Sequence, residues 1–162
     1  MYLDILNRAV NYVHIMTPYL ILDYELENAL KFAAQRGVDV SIIVPGIPDK
    51  KSAYALMKTH YASLLEAGVH LYEYTPGFVH AKVFVSDNDT ATVGTINLDY
   101  RSLYHHFECG AFIYNNTVVW DIEKDFQNTL AKSKIVTKED LKSRNILEKI
   151  AGSVLKLIAP LM

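Results

Sequence analysis

The stretch Val79-His80-Ala81-Lys82-Val83-Phe84-Val85-Ser86 decides which fold and which chemistry this sequence predicts. Its residues alternate in type and are rich in Val and Phe, which predicts a β-strand over residues 79–86. Side chains two positions apart on a strand share one face, so His80 and Lys82 are expected to project side by side. An imidazole and an ammonium group would then converge on one point.

Further polar residues follow this stretch at short spacing. Asp87 comes directly after it, and Gly94-Thr95-Ile96-Asn97 follows a second apolar stretch. Asn97 and Thr95 can donate hydrogen bonds to phosphate oxygens, while Gly94 would allow the backbone to approach closely. A neutral imidazole can attack phosphorus, and a fixed cation can neutralise the charge that builds on the oxygens. The set therefore predicts phosphodiester exchange through a histidine nucleophile.

A carboxylate completes the predicted site. Residues 107–114 are expected to form another strand, with Phe107, Cys109 and Ala111 on one face and Glu108 on the other. A carboxylate within such an apolar run is costly unless it is paired. A histidine that becomes positively charged during the reaction is a suitable partner, because the carboxylate fixes the ring tautomer and stabilises the cation. A solvent-exposed glutamate on an edge strand is the alternative.

The remaining histidines have no such neighbours in the sequence. A packed core position or a surface position is the more common role of a lone histidine. That interpretation is adopted for His14, His60, His70, His105 and His106.

The pattern H-x-K-x4-D-x6-G-[ST]-x-N over residues 80–97 resembles the signature of the phospholipase D superfamily. Residues 93–104 and Phe107-Glu-Cys-Gly110, together with residues 16–23 and 45–51, are similar to bacterial cardiolipin synthases specifically. The similarity runs from near Leu3 to the C-terminal end and covers essentially the whole chain.

The resemblance implies an α/β lobe of phospholipase D type, with a mixed, mostly parallel sheet flanked by helices. It implies phosphatidyl transfer between two phosphatidylglycerol molecules, giving cardiolipin and glycerol through a covalent histidine intermediate. The implied catalytic residues are His80, Lys82, Asn97, Glu108 and the motif aspartate Asp87, which is expected to tie strand ends together. Lys82, Thr95 and Asn97 are expected to hold the phosphate. No metal or other cofactor is expected.

The sequence departs from the family pattern in one respect. Phospholipase D enzymes build one active site from two such motifs, and this chain contains one His-x-Lys motif. A second motif-bearing half is therefore expected as partner, either in the same full-length chain or in a second subunit. The alternatives are a homodimeric phosphodiesterase or nuclease, and a non-catalytic half that docks on membranes. The net charge of −2 does not favour binding to a nucleic acid.

Length and composition fit one compact lobe. The 162 residues are 51% hydrophobic, and the single cysteine excludes an intrachain disulfide. Residues 1–131 are expected to form the catalytic lobe, and residues 132–162 a basic amphipathic helical tail. From residue 129 onward, seven Lys and Arg against three Asp and Glu give a charge of +4, so the preceding residues carry −6.

The apolar residues of the tail recur at helical spacing, so it can either lie on an anionic membrane or pack on its own domain. No run approaches the ~18 apolar residues that a spanning helix needs. A phospholipid substrate and a membrane surface are expected as partners. A catalytic domain facing the cytoplasm at a bacterial cell membrane is the implied location.

Alternating patterns along the chain predict the other elements. Helices are expected over residues 3–10, 23–35, 51–67 and 118–130, and strands over residues 12–16, 38–44 and 69–74.

Overall fold

The computed structural model describes residues 1–142 and 146–161. Within these residues, seven strands form one sheet. The strands are β1 (Tyr12–Met16), β2 (Asp39–Pro45), β3 (His70–Tyr74), β4 (Val83–Ser86), β5 (Thr90–Gly94), β6 (Gly110–Tyr114) and β7 (Ser133–Ile135). The helices are α1 (Tyr2–Arg8), α2 (Tyr24–Gln35), α3 (Lys51–Met57), α4 (Tyr61–Glu66), α5 (Val118–Leu130), α6 (Lys138–Lys142) and α7 (Ile146–Ile158). A π-helical turn spans Arg101–His105, and a 3-10 helix spans Ala159–Leu161.

The strands lie in the order β6-β5-β4-β1-β2-β3-β7. The pairs β1–β2 and β2–β3 are parallel, whereas β1–β4, β3–β7, β4–β5 and β5–β6 are antiparallel. The predicted mixed sheet is confirmed, but its predicted mostly parallel character is wrong. The reason lies in the connections, because β4 and β5 are joined by a tight turn and strands joined in this way run antiparallel.

Helices cover both faces of the sheet, because side chains alternate along each strand. Val13 and Ile15 of β1 point into the main hydrophobic core, which they share with residues of α1, α2 and α4. Met16 points to the other face and packs with Phe126 of α5. The predicted α/β architecture, a sheet flanked by helices, is confirmed.

Asp87 ties the ends of two strands together. It follows β4 with a positive φ of 51°, a conformation that Asp and Asn adopt more readily than most residues. Its carboxylate accepts hydrogen bonds from the backbone N–H groups of Val10, Asn11 and Tyr12 at 2.7, 2.8 and 2.9 Å. This anchors the start of β1 to the end of β4, which is the structural role expected of Asp87.

The helix predicted over residues 51–67 is interrupted. α3 ends at Met57 and α4 begins at Tyr61. The Thr59 hydroxyl donates a hydrogen bond to the Leu56 carbonyl oxygen at 2.6 Å, and the Thr59 N–H donates to the same oxygen at 2.9 Å. A side chain that binds the backbone in this way competes with the regular helical hydrogen bonds.

The described residues after position 131 pack on the lobe. β7 pairs with β3, and Val136 is buried in the main core. α7 lies so close to α3 that a Cβ added at Gly152 would be 2.8 Å from the Ala55 carbonyl oxygen. The tail predicted over residues 132–162 thus contributes a strand to the sheet and a packed helix. Of its two expected roles, this arrangement corresponds to packing on its own domain. Residues 143–145 and 162, and the side chains of residues 146–150, lie outside the described part.

We expect Asp87→Ala to lower the free energy of unfolding by about 2–3 kcal/mol, because three backbone donors lose a charged acceptor. Asp87→Asn should lose less, since the amide oxygen can still accept. Denaturant unfolding of the purified chain measures both changes. Asp89→Ala is the matched control in the same turn, since the Asp89 side chain accepts one exposed hydrogen bond from Thr90. Equal losses for Asp87→Ala and Asp89→Ala would contradict the anchoring role.

Candidate active site

Three chain segments leave the sheet at the same end. β4 begins after Lys82, β5 ends at Gly94 and β6 begins at Gly110, and these three neighbouring strands are antiparallel. Two backbone hydrogen bonds join the segments just outside the sheet. The Gly94 N–H donates to the Lys82 carbonyl oxygen at 3.3 Å, and the Thr95 N–H donates to the Cys109 carbonyl oxygen at 2.8 Å. The topology therefore brings the predicted site segments together.

His80 lies in the segment that precedes β4. The predicted strand over residues 79–86 is too long, because regular pairing starts at Val83. His80 is exposed, and its ring centroid lies 5.9 Å from that of Phe78. No described residue forms a hydrogen bond with either ring nitrogen of His80. The imidazole is thus accessible for attack on a substrate.

Lys82 is half-buried, and its ammonium group donates a hydrogen bond to the His80 carbonyl oxygen at 2.7 Å. Burial lowers the pKa of Lys82, while the charges of Glu108 and Asp99 oppose that shift. The ammonium group is therefore partly desolvated and feels the charges of two carboxylates. Electrostatic attraction to a phosphate is stronger in such surroundings than in bulk water.

Gly94 allows the strand ends to approach each other. A Cβ at this position would overlap the Cys109 carbonyl oxygen and the Gly110 Cα atom. Because both are backbone atoms, they could move away only if the strands separated. The sequence predicted a turn or a close approach to a phosphate at Gly94, whereas the close approach in the structure is to the backbone before and at the start of β6. This approach places Thr95 against the segment that carries Glu108.

Asn97 is fixed by contacts of its neighbours. Leu98 is buried, and its carbonyl oxygen accepts a hydrogen bond from the Ile21 N–H at 2.7 Å. The Asn97 side-chain amide donates to the Ser102 hydroxyl at 3.1 Å. The Asn97 Oδ1 atom is buried without a hydrogen-bond partner among the described residues. Asn97 is thus held at the base of the site with unused hydrogen-bonding capacity.

Glu108 lies just before β6. This strand was predicted to begin at residue 107, but it begins at Gly110. The Thr95 hydroxyl donates to Glu108 Oε2, and His106 Nδ1 lies 3.8 Å from Glu108 Oε1. The hydrogen bond from Thr95 holds the pKa of Glu108 below its ordinary value, with further contributions from Ser102, His106 and Lys82. In the described part of the chain, Glu108 forms no hydrogen bond with His80.

An open cleft of about 510 Å³ extends from Asn97. Its walls include the basic residues Lys50, Arg101 and His106, together with Ser102. Ser102 and His106 were not among the residues predicted for the site. Ser102 lies within residues 93–104, on which the family resemblance rests, and this position could have indicated that it belongs to the site. His106 was judged as a lone histidine, since its nearness to Glu108 depends on the bend before β6.

Two other histidines are buried and paired with carboxylates, as expected of core positions. His14 stacks between the rings of Tyr12 and Phe126, and its Nδ1 lies 2.9 Å from Glu123 Oε2. His60 Nδ1 lies 2.8 Å from Glu27 Oε2. Neither ring takes part in the candidate site.

Solved structures of the phospholipase D type share this fold. Nuc from Salmonella typhimurium, a phospholipase D family member, superposes with a TM-score of 0.75 at 20% identity, over 85% of this chain and 89% of that chain. A phosphatidylserine synthase from Haemophilus influenzae superposes with a TM-score of 0.70 at 18% identity, over 98% of this chain and 41% of that chain. The architecture is therefore a phospholipase D fold.

The sequence comparisons are more specific. The chain belongs to the family described as cardiolipin synthase, PLD-like domain, whose profile matches residues 2–130. A cardiolipin synthase from Clostridium perfringens is 40% identical over 99% of this chain and 34% of its own length. Cardiolipin synthase 2 from Bacillus cereus is 35% identical over 100% of this chain and 32% of its own length. The chain thus spans about a third of the length of these relatives.

Among the described residues, no helix combines the length and the apolar character needed to cross a membrane. Nor does any group of three or more His, Cys, Asp and Glu side chains within this part lie close enough to hold a metal ion.

We expect Thr95→Val to raise the pKa of Glu108 towards its ordinary value, because the carboxylate loses a donor that favours its charged form. Carbon-13 NMR titration of the Glu108 carboxyl group measures this shift. A lowered pKa stabilises the fold above the unfolded-state pKa, and that stability is lost as the pH falls through the lowered value. The stability difference between the wild type and Thr95→Val should therefore shrink at acidic pH.

Thr75→Val is the control for this titration. Thr75 also donates through its hydroxyl group, but to the Lys132 carbonyl oxygen just after β3, which β1 and β2 separate from β4. It should leave the pKa of Glu108 unchanged. An unchanged pKa in Thr95→Val as well would mean that Thr95 does not control the charge of Glu108.

Proposed function

We propose that this lobe contributes one of two motifs to phosphatidyl transfer between two phosphatidylglycerol molecules, giving cardiolipin and glycerol. The observation that supports the proposal is that the segments carrying His80, Lys82, Asn97 and Glu108 flank one end of β4, β5 and β6, where the imidazole is exposed. The relatives named cardiolipin synthase support a phospholipid as the substrate class.

The proposed reaction has two steps. An imidazole nitrogen attacks the phosphorus of one phosphatidylglycerol, so that an N–P bond forms and the P–O bond to the glycerol headgroup breaks. The leaving glycerol oxygen takes a proton from a general acid. A hydroxyl group of the second phosphatidylglycerol then attacks the phosphorus and returns a proton to the same residue. The N–P bond breaks, cardiolipin leaves, and the free imidazole is restored.

Three side chains would support these steps. Lys82 and Asn97 would bind the non-bridging oxygens, where negative charge builds in the transition state, and Thr95 would add a hydroxyl group beside them. Glu108 remains ionised because its pKa is lowered. It can therefore stabilise a nearby imidazole as that ring becomes positively charged.

The two steps require one residue that forms a bond to phosphorus and a second residue that transfers protons. This chain supplies one motif histidine, His80, which would act as nucleophile or as general acid. The second histidine would come from another motif-bearing lobe. Relatives three times as long have room for such a lobe. Because the substrate is a membrane lipid, the site would work at a bacterial cell membrane, on its cytoplasmic side.

We expect His80→Ala in the assembled enzyme to reduce phosphatidylglycerol turnover by at least about 10³-fold, because the reacting nitrogen is removed. Glu108→Gln should lose less, since the amide keeps the hydrogen-bonding shape but cannot balance the imidazolium charge. Conversion of labelled phosphatidylglycerol to cardiolipin measures both effects.

His70→Ala is the matched control, because His70 is an exposed histidine at the start of β3 and far from the site segments. It should leave turnover unchanged. Full activity of a correctly folded His80→Ala enzyme would remove His80 from the chemistry and would reject the proposed function.

A further inference from the structure

The open cleft that extends from Asn97 has a firm apolar base. Ile21 and Ala53 line it, and both side chains are more than nine-tenths buried. They belong to a small hydrophobic cluster with Leu56, against which Tyr19 packs. The cleft therefore lies on a well-packed part of the lobe, and its volume of about 510 Å³ is typical of a small-molecule binding site.

Two cationic residues from separate chain segments line this cleft. Lys50 directly precedes α3, and its N–H donates a hydrogen bond to the Asp49 carboxylate at 2.6 Å. Asp49 also accepts a hydrogen bond from the Tyr19 hydroxyl. Arg101 begins the π-helical turn, and its carbonyl oxygen accepts the His106 N–H at 2.8 Å. Hydrogen bonds thus hold the backbone in place at both cations.

The turn that carries Arg101 has an uncommon geometry. π-helical turns are rare, and they occur frequently at functional sites. This turn is anchored at its start, because the Ser102 N–H donates to Asp99 Oδ1 at 2.8 Å and the Leu103 N–H donates to the Asp99 carbonyl oxygen at 3.0 Å. The fold therefore maintains a rare turn directly beside the cleft.

The cleft is positively charged although most of the chain is acidic. Its charged residues are Lys50, Arg101 and Asp99, which sum to +1 when His106 is neutral. Residues 1–128 together carry −6. Neither cation of the cleft forms an ion pair with another described residue, whereas several other lysines do. Their charges are therefore available to a bound anion.

The proposed reaction brings a second phosphate to the site only in its second step. In the first step, the donor phosphatidylglycerol contributes a single phosphate, and its leaving glycerol is neutral. The acceptor phosphatidylglycerol carries another phosphate at the far end of the glycerol whose hydroxyl group attacks. That anion must lie one glycerol unit away from the phosphorus that Lys82 and Asn97 would hold. A positively charged cleft that extends from Asn97 fits this requirement.

We propose that this cleft is the subsite for the phosphate of the acceptor phosphatidylglycerol, which Arg101 and Lys50 bind. The inference rests on the proposed function, because that function requires an anionic acceptor. The Arg101 guanidinium can form two parallel hydrogen bonds to a phosphate, and the Lys50 ammonium group adds a second cation. Water and neutral alcohols carry no charge to which these groups could bind. The cleft therefore favours transfer to an anionic lipid over hydrolysis.

A comparison of two acceptors in the full-length protein that contains this lobe tests the inference. The protein is incubated with phosphatidylglycerol and labelled glycerol in detergent micelles. Cardiolipin forms with the anionic acceptor. Labelled phosphatidylglycerol forms when a glycerol oxygen attacks the same covalent intermediate, so that a P–O bond forms and the N–P bond breaks. The ratio of the two products thus measures the preference for an anionic acceptor.

We expect Arg101→Gln to lower the ratio of cardiolipin to labelled phosphatidylglycerol by about tenfold or more, because charge-assisted hydrogen bonds to one of the two acceptors are lost. Lys50→Gln should lower the ratio less, and the double variant should lower it most. Arg101→Lys should give an intermediate ratio, since it keeps the charge but loses the paired hydrogen bonds. Both side chains are exposed, so the melting temperature should change little.

Lys51→Gln is the matched control. Lys51 is an exposed lysine next to Lys50, but it is not among the residues that line the cleft. The substitution removes the same charge from the same segment and should leave the product ratio unchanged.

The deacylated headgroup glycerophosphoglycerol separates the cleft from a general attraction to charged lipid surfaces. This compound carries the phosphate of the acceptor but does not enter the micelle. We expect Arg101→Gln to raise the KM for glycerophosphoglycerol as an acceptor by about tenfold and to leave the KM for glycerol unchanged.

An unchanged product ratio in the double variant would overturn the inference. An equal fall of both products would also overturn it, because the cations would then serve the donor lipid or attraction to the lipid surface. The same holds for an unchanged KM for glycerophosphoglycerol in Arg101→Gln. A wild-type enzyme that incorporates labelled glycerol but makes no cardiolipin would instead reject the proposed function, and the inference with it.

Discussion

The close approach of β5 and β6 at Gly94 and Gly110 is the constraint on which the candidate active site depends. No Cβ fits at Gly94, because the backbone of Cys109 and Gly110 occupies its place. This contact sets the distance between the segment that carries Asn97 and the segment that carries Glu108. The hydrogen bond from Thr95 to Glu108, and with it the lowered pKa of the carboxyl group, follows from that distance. A larger residue at position 94 would separate the segment that carries Asn97 from the segment that carries Glu108.

Local patterns predicted much of the fold. The strand over residues 12–16 and the helix over residues 118–130 have the predicted limits, and four other elements differ by one or two residues at an end. The helix start at Asp23 has a clear local cause, because its carboxylate accepts the Leu26 N–H at 2.7 Å. Such features depend on neighbouring residues alone, and a sequence displays them directly.

Features that depend on distant residues were harder to predict. The parallel or antiparallel direction of a pair depends on how the chain returns to the sheet, so the balance of the pairings was wrong. β7 is short, and its place beside β3 is fixed by pairing rather than by its own sequence pattern. β4 was predicted to start too early, because residues 79–82 alternate like a strand although regular pairing begins at Val83.

In the candidate site, too, local features were easier to predict than contacts between distant residues. Spacing, strand pattern and the family resemblance together selected His80, Lys82, Thr95, Asn97 and Glu108. The topology places the segments that carry them at the same end of three adjacent strands. The contacts within the site were not predictable. Whether Glu108 contacts His80, His106 or Thr95 depends on the bend before β6, and such a bend leaves little trace in the sequence.

The hydrogen bond from Lys82 to the His80 carbonyl oxygen has a consequence for substrate selection. A phosphate that binds the ammonium group must compete with this internal acceptor, so binding exchanges one hydrogen bond for another. The net gain is the difference between a charged and a neutral acceptor, on the order of 1 kcal/mol. A neutral ester would gain nothing from that exchange. In the proposed site the lysine would thus favour anionic ligands over neutral ones, and its hydrogen bond to the carbonyl oxygen keeps it close to the histidine while no anion is bound.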